Sequence, residues 1–251
     1  MAFDEAMLER TLDEPELLLL RLYTWQPAAI TIGVNQRVER AVRLESLGDT
    51  PIVRRITGGR AVFHARNELT YAVALNLDNP ALAEWRSSVQ AVYLRLAEGL
   101  RLFLDRLGLS AQIVRRSAEA RPGRSDYITA PCFESAARYE LTVGGGKVLA
   151  SAQHQSGRAI LQHGSIKLLG LVAHPALSGG VPSTGPTDQP IERESLERFS
   201  AQFVDAFQEW LGVTVGESAT GDRALAGLDE RVSAIRCNPL ARRIPLERYS
   251  R

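Results

Sequence analysis

With 251 residues, 45% of them apolar and 24% charged, the chain has the composition of a soluble globular protein with room for one large or two modest domains. Its net charge of +1 gives no electrostatic ground for a nucleic-acid or anionic-membrane partner. No apolar run approaches the roughly 20 residues that span a bilayer, and no signal-peptide pattern is present.

Met1–Leu12 places Phe3, Met7, Leu8 and Leu12 at near-helical spacing and predicts an amphipathic helix. Leu17–Trp25 and Ala29–Val34 read as strands interrupted at Gln26-Pro27. Gly33-x-x-Gln36 is either a place where backbone approaches a ligand or a glycine in a bulge. Val38–Leu47 predicts a helix. Ile52–Ile56 predicts a strand that ends in Thr57-Gly58-Gly59, and Ala61–His64 and Glu68–Leu77 predict two more. Ser87–Leu107 carries Val89, Val92, Leu96, Leu100, Phe103, Leu104 and Leu107, a stripe that defines the clearest helix of the chain. It stops at Gly108, and Ala111–Val114 follows as a strand.

Ser117–Ala130 mixes charge with proline and glycine, has no period, and reads as a loop leading into Cys132. Next come three short apolar runs, Tyr139–Val143, Val148–Ala152 and Ala159–Leu161. The Gly144-Gly145-Gly146 and His154–Arg158 turns separate them into an antiparallel meander. Residues 179–190 form a surface linker. Leu196, Phe199, Phe203, Phe207 and Leu211 predict a second amphipathic helix, and Arg223–Ala234 a third. The expected fold is α+β, a mixed and mainly antiparallel sheet flanked by helices, with a small helical segment at 191–251 in a single domain.

Chemistry concentrates in two blocks. A thiol just before the meander and an ammonium, Lys147, just after its first turn are the parts of an acyl-transfer site, because the cation can depress the thiol pKa or hold an oxyanion. Arg54-Arg55-Ile56-Thr57-Gly58-Gly59-Arg60 exposes backbone N–H groups beside guanidiniums that can pair with a carboxylate or phosphate. Taken alone, each has an ordinary explanation: a buried free cysteine, a solvated hairpin lysine, a solvated basic turn, a core histidine at His64. The two cysteines, Cys132 and Cys237, form neither a disulfide framework nor a metal-ligand spacing, and imply a reducing cytoplasm. The histidines show no HxxxH or HExxH spacing, so no metal site is expected.

CFESAARYELTVGGGKVLASAQ…ILQHGSI together with VRRITGGRAVFHARNELTYAV at 53–73 resembles the octanoyltransferases of lipoate assembly. These are the cysteine-dependent branch of the superfamily that also holds lipoate–protein and biotin–protein ligases. MAFDEAMLER and LYTWQPAAITIGVNQ extend the resemblance over most of the first two thirds. Family members usually carry a short strand ahead of the first helix, which this sequence starts without. The resemblance implies the biotin/lipoate ligase catalytic fold, with Cys132 as nucleophile and Lys147 approaching the acyl carbonyl. It also implies a pocket formed by Arg55, Thr57, Gly58, Gly59, His64, Gln153, Gln162, His163 and Gly164. Cys237 lies outside the matched blocks, and no role is assigned to it.

The implied reaction passes an octanoyl group from octanoyl-acyl-carrier protein to Cys132. From there it goes to a lysine of a lipoyl domain or of the glycine cleavage H protein, with no cofactor and with the enzyme as a monomer. An apolar tunnel burying roughly seven CH₂ and CH₃ groups at about 0.8 kcal/mol each would read chain length. The alternatives are an ATP-dependent lipoate–protein ligase, an amidotransferase acting between lipoyl-accepting proteins, and a non-catalytic acyl-binding protein on the same scaffold.

Overall fold

The computed structural model describes residues 1–85, 89–114, 140–170, 172–177 and 189–211. The amphipathic start forms α1 (Ala2–Asp13), and two strands follow, β1 (Leu18–Tyr23) and β2 (Ala29–Ile32). The predicted helix over Val38–Leu47 breaks into α2 (Val38–Ala41) and a single 3₁₀ turn, Leu44–Ser46. The cause is tertiary. Val42 is extended and buried, and the Arg43 amide donates to the Ala176 carbonyl at 2.9 Å, which draws the chain out of the helix.

Three strands follow as expected with trimmed ends: β3 (Ile52–Arg54), β4 (Val62–His64) and β5 (Leu69–Asn76). The long apolar stripe forms α3 (Val89–Arg106), succeeded by β6 (Ala111–Val114) and β7 (Glu140–Val143). The last two strands, β8 (Gly146–Ser156) and β9 (Ala159–Ile166), outrun the apolar segments that announced them. The expected turn at His154–Arg158 shrinks to Gly157-Arg158, because Ser156 already pairs with Ala159, Gln155 with Ile160 and His154 with Leu161. Backbone ladder bonds do not need apolar side chains, so polar residues continue the strand. Helix α4 (Arg193–Leu211) is the second amphipathic helix. The loop at 117–130, most of the linker at 179–190, the helix expected at 223–234 and the tail lie outside the described residues.

The strands divide between two sheets. One is six-stranded and antiparallel throughout, in the order β1-β5-β9-β8-β7-β6. The other is three-stranded, β3-β2-β4, with β3 parallel and β4 antiparallel to β2. Strands β5 and β9 are buried along their whole length, so both of their faces are covered.

On one face Leu69, Tyr71, Val73, Leu75, Ile160 and Ile166 meet Leu96, Leu100 and Phe103 of α3 and Phe203 and Phe207 of α4. Phe203 lies edge-on to Phe103 with ring centroids 5.3 Å apart. On the other face the strands show small residues, Ala72, Ala74 and Ala159, together with Leu161, against Ala6, Met7 and Leu8 of α1. Alternation along a strand sends these two sets to opposite sides. The small sheet has its own apolar centre, Ile30, Ile32, Val38, Val42 and Ile52.

Candidate functional site

A small cavity of about 50 Å³ opens between the two sheets. Ala150, Ser151 and Ala152 of β8 and His163, Gly164 and Ser165 of β9 line one side. Thr31, Arg55, Gly59, Val62 and His64 line the other. The room exists because the sheet is built from small side chains here. At Gly164 a Cβ would lie 2.4 Å from the Ala150 carbonyl oxygen and 2.6 Å from Tyr71 Cε1, so the position has no space for any larger residue.

The Gly33 position is tight for a different reason from the one the sequence suggested. A Cβ there would stand 2.2 Å from the Gly59 carbonyl oxygen, so the close approach is to the neighbouring loop. The Gly33 amide donates to Gln36 Oε1 at 3.0 Å. Arg54 donates to the Gly33, Val34 and Gln36 carbonyls at 3.0, 3.1 and 2.7 Å, so its guanidinium holds a turn.

Arg55 is buried and reaches into the site. Its Nη1 donates to Thr31 Oγ1 at 2.7 Å, its Nε to Thr57 Oγ1 at 3.3 Å, and its Nη2 to the carbonyls of Gly58 and Arg60 at 2.9 and 3.0 Å. His64 is a partnered, buried histidine that also forms cavity wall: Nε2 lies 2.7 Å from Thr31 Oγ1, Nδ1 lies 2.5 Å from Glu68 Oε1, and the ring stacks on Trp25 at 4.3 Å. His163 repeats the pattern, with Nε2 2.7 Å from Thr57 Oγ1 and Nδ1 3.1 Å from Asp4 Oδ2.

Burial pushes the pKa of both imidazoles down, that of His64 well below 6.5, and the charges of Lys167 and Arg55 push His64 further. Both rings are therefore neutral at pH 7. Burial alone would raise the Asp4 carboxyl. The amino-terminal charge, the hydrogen bond from His163 and the Arg21 guanidinium at 2.7 Å outweigh it and hold Asp4 well below the usual carboxylate range. Glu68 is enclosed by His64, by Ser165 Oγ at 2.9 Å and by the Lys167 ammonium, with which it forms a buried ion pair.

The remaining expected residues are spread more widely. Gln162 turns to the α3–α4 side, where its Nε2 donates to the Tyr71 hydroxyl at 3.0 Å and its Oε1 accepts from Gln153 at 3.3 Å. The Tyr71 hydroxyl also shares a hydrogen bond with Ser151 Oγ at 2.7 Å, on the cavity wall, and burial pushes the phenol up to about 12. Lys147 is half-buried at the start of β8, paired with Thr142 of β7 and three residues ahead of Ala150, roughly 10 Å along an extended strand. It does not line the cavity. Cys132 and Cys237 lie outside the described residues.

Sequence reasoning missed Asp4, Thr31, Glu68 and Lys167. Two signals existed. Asp4 stands beside Met7 and Leu8 on the packed side of an amphipathic helix, and Glu68 directly precedes a largely apolar strand. Among the described residues no group of three or more His, Cys, Asp and Glu side chains is placed to hold a metal ion.

The fold that frames this wall is found in other proteins. A lipoate protein ligase candidate from Thermoplasma acidophilum with bound lipoic acid superposes with a TM-score of 0.62 over 93% of this chain and 90% of that one, at 17% identity. A lipoate-protein ligase A bound with ATP gives 0.58 over 92% and 89%, at 20% identity. These likenesses establish the fold.

The family model for the lipoyl protein ligase A/B catalytic domain matches residues 1–171, and the chain belongs to that family. Curated relatives include octanoyltransferase LipM of Moorella thermoacetica, 39% identical over 170 residues, which are 67% of this chain and 60% of the relative. LipM of an Exiguobacterium species is 41% identical over 171 residues, with the same two shares. The match thus spans about 60% of the length of these relatives.

Proposed function

We propose that the protein is an octanoyltransferase of lipoate assembly, with the matched region as its catalytic domain. The observation that carries this reading is that the cavity lies inside residues 1–171, the span of the family match, and that curated relatives about 39% identical are octanoyltransferases. The wall suits an acyl chain: small side chains and neutral hydrogen-bonded rings meet an apolar ligand at little desolvation cost.

In the proposed reaction the Cys132 thiolate attacks the carbonyl carbon of an octanoyl thioester, and the carrier-protein thiolate leaves. The neutral ε-amine of an acceptor lysine on a lipoyl-accepting protein then attacks the acyl-enzyme. Cys132 departs as thiolate and the amine gives up a proton. Lys147 supports the thiolate and the oxyanion of each tetrahedral intermediate. The first exchange is nearly neutral and the amide is downhill, so the thioester itself supplies the activation and ATP has no part.

Incubation with octanoyl-acyl-carrier protein, with and without ATP and Mg²⁺, followed by intact mass, tests the reading. The expected result is one octanoyl adduct without ATP, labile to hydroxylamine and mapping to the Cys132 peptide. Cys132→Ser abolishes transfer, Cys237→Ser leaves it intact, and Lys147→Ala slows acylation by about 10²–10³. Strict ATP dependence with free octanoate or lipoate would make the protein a ligase. An adduct on Cys237 would sink the mechanism.

A further inference from the structure

The polar groups at the cavity are joined in an order that hydrogen-bond chemistry dictates. A guanidinium only donates and a carboxylate only accepts, so with a neutral imidazole in the relay every bond between them has one direction. Arg55 donates to Thr31 Oγ1, the Thr31 proton goes to His64 Nε2, and the His64 Nδ1–H goes to Glu68. In parallel Arg55 donates to Thr57 Oγ1, the Thr57 proton goes to His163 Nε2, and the His163 Nδ1–H goes to Asp4. Two arms of the same make-up, hydroxyl, imidazole and carboxylate, therefore converge on one guanidinium.

The arms come from different parts of the molecule. Glu68 stands at the head of β5 and is paired with Lys167, while Asp4 is in the first turn of α1 and is paired with Arg21. Arg55 joins them to the cavity edge, since its Nη2 holds the carbonyls of Gly58 and Arg60 on either side of Gly59, a wall residue that Gly33 abuts.

We propose that Asp4 and Glu68 are positioning residues. Acting through His163–Thr57 and His64–Thr31, they fix Arg55 and, through it, the Gly58–Arg60 loop at the cavity edge before any acyl group arrives. The functional half of this inference rests on the acyl-pocket reading, and the structural half does not. A preset edge lowers the ordering cost of binding and leaves the chemical step alone. The effect therefore belongs in KM and not in kcat. Because both arms act through one group, cutting the second after the first changes little, whereas independent packing contacts would add.

The test uses Thr31→Val and Thr57→Val, singly and together, with Thr31→Ser and Thr57→Ser as variants that restore the hydroxyl. Amide hydrogen exchange in the free protein is expected to rise about 10-fold at residues 58–60 in each valine variant, the loss of one charge-assisted hydrogen bond. The double variant exchanges about as fast as either single one, and the serine variants behave as wild type. KM for the octanoyl donor rises about 10-fold, with kcat within a factor of about two. Should a valine variant fail to fold, Asp4→Asn and Glu68→Gln carry the test, each removing the charge at one arm's end and each raising exchange at 58–60. Unchanged exchange at 58–60, or strictly additive effects of the two arms, would overturn the proposal. If the exchange pattern is as expected but wild-type protein neither binds nor transfers octanoyl groups, the positioning unit stands and the acyl-pocket reading falls.

Discussion

Along β5, Leu69, Tyr71, Val73 and Leu75 point to the α3–α4 layer, whereas Thr70, Ala72 and Ala74 point to α1 and the cavity. β9 repeats the division, with Ile160 and Ile166 on the helix side and Leu161, His163 and Ser165 on the other. One face is filled mainly by large apolar side chains, with Gln162 and the Tyr71 hydroxyl hydrogen-bonded to each other among them. The other combines small residues, which leave room, with buried polar groups, each of which needs a named partner. The comparison teaches how one sheet can be both the core of a protein and the wall of a site: apolar packing holds one side and partnered polar groups hold the other.

Two truncations should break that division in opposite ways. Phe203→Ala removes a fully buried ring and should lower unfolding free energy by about 3–5 kcal/mol with no change in KM for an octanoyl donor. Lys167→Met leaves the Glu68 carboxylate uncompensated and should cost a similar 3–5 kcal/mol or so, while also raising KM. Urea unfolding alongside steady-state kinetics separates them. Equal KM changes in both would mean that the faces are not functionally distinct.

Gly164→Ala probes the seam between the faces. Its methyl group would be driven into the Ala150 carbonyl and the Tyr71 ring, so a loss of about 1–3 kcal/mol and a weaker acyl site are expected together. A stable, fully active variant would show that β8 and β9 can separate at no cost.

A smaller effect comes from pH. His64 and His163 have folded pKa values below the ordinary 6.5, so on acidification the unfolded chain takes up protons first. Their contribution is complete above about pH 6.5 and is lost as pH falls below it, by up to about 1.4 kcal/mol per pH unit for each histidine. Asp4, also depressed, adds its loss only below the ordinary carboxylate range near 3.8. The urea midpoint at pH 5.5 should therefore lie below that at pH 7.5, and equal midpoints would mean that folding shifts neither ring's pKa.

The smallest expected change is Tyr71→Phe, which leaves the ring in the apolar face and removes the hydroxyl shared by Gln162 and Ser151, at about 1 kcal/mol. Thermal unfolding measures it, and a loss several times larger would assign the Gln153–Gln162–Tyr71–Ser151 chain a larger structural part than its geometry supports.

By itself the sequence determined most of the elements, because apolar spacing at 3.6 or 2 residues survives wherever a helix or strand packs one side against a core. Helix α3 and strand β6 lie almost where the pattern put them, and the family match was legible in two short blocks. Strand lengths were less legible. His154, Gln155 and Ser156 look like a turn and are strand, since pairing is a property of the backbone partner. Likewise Val38–Leu47 looks like one helix until the bond from Arg43 to Ala176 interrupts it.

The division into two sheets and the site's inner wiring were decided by the tertiary structure alone. Arg55, His64 and His163 stood out as residue types, but Asp4, Thr31, Glu68 and Lys167 are ordinary in sequence. Asp4 meets His163 across 159 positions, and Lys167 meets Glu68 across 99. Burial makes such partners obligatory, because a polar group taken out of water must find another, and which one it finds depends on how α1, β5 and β9 come together.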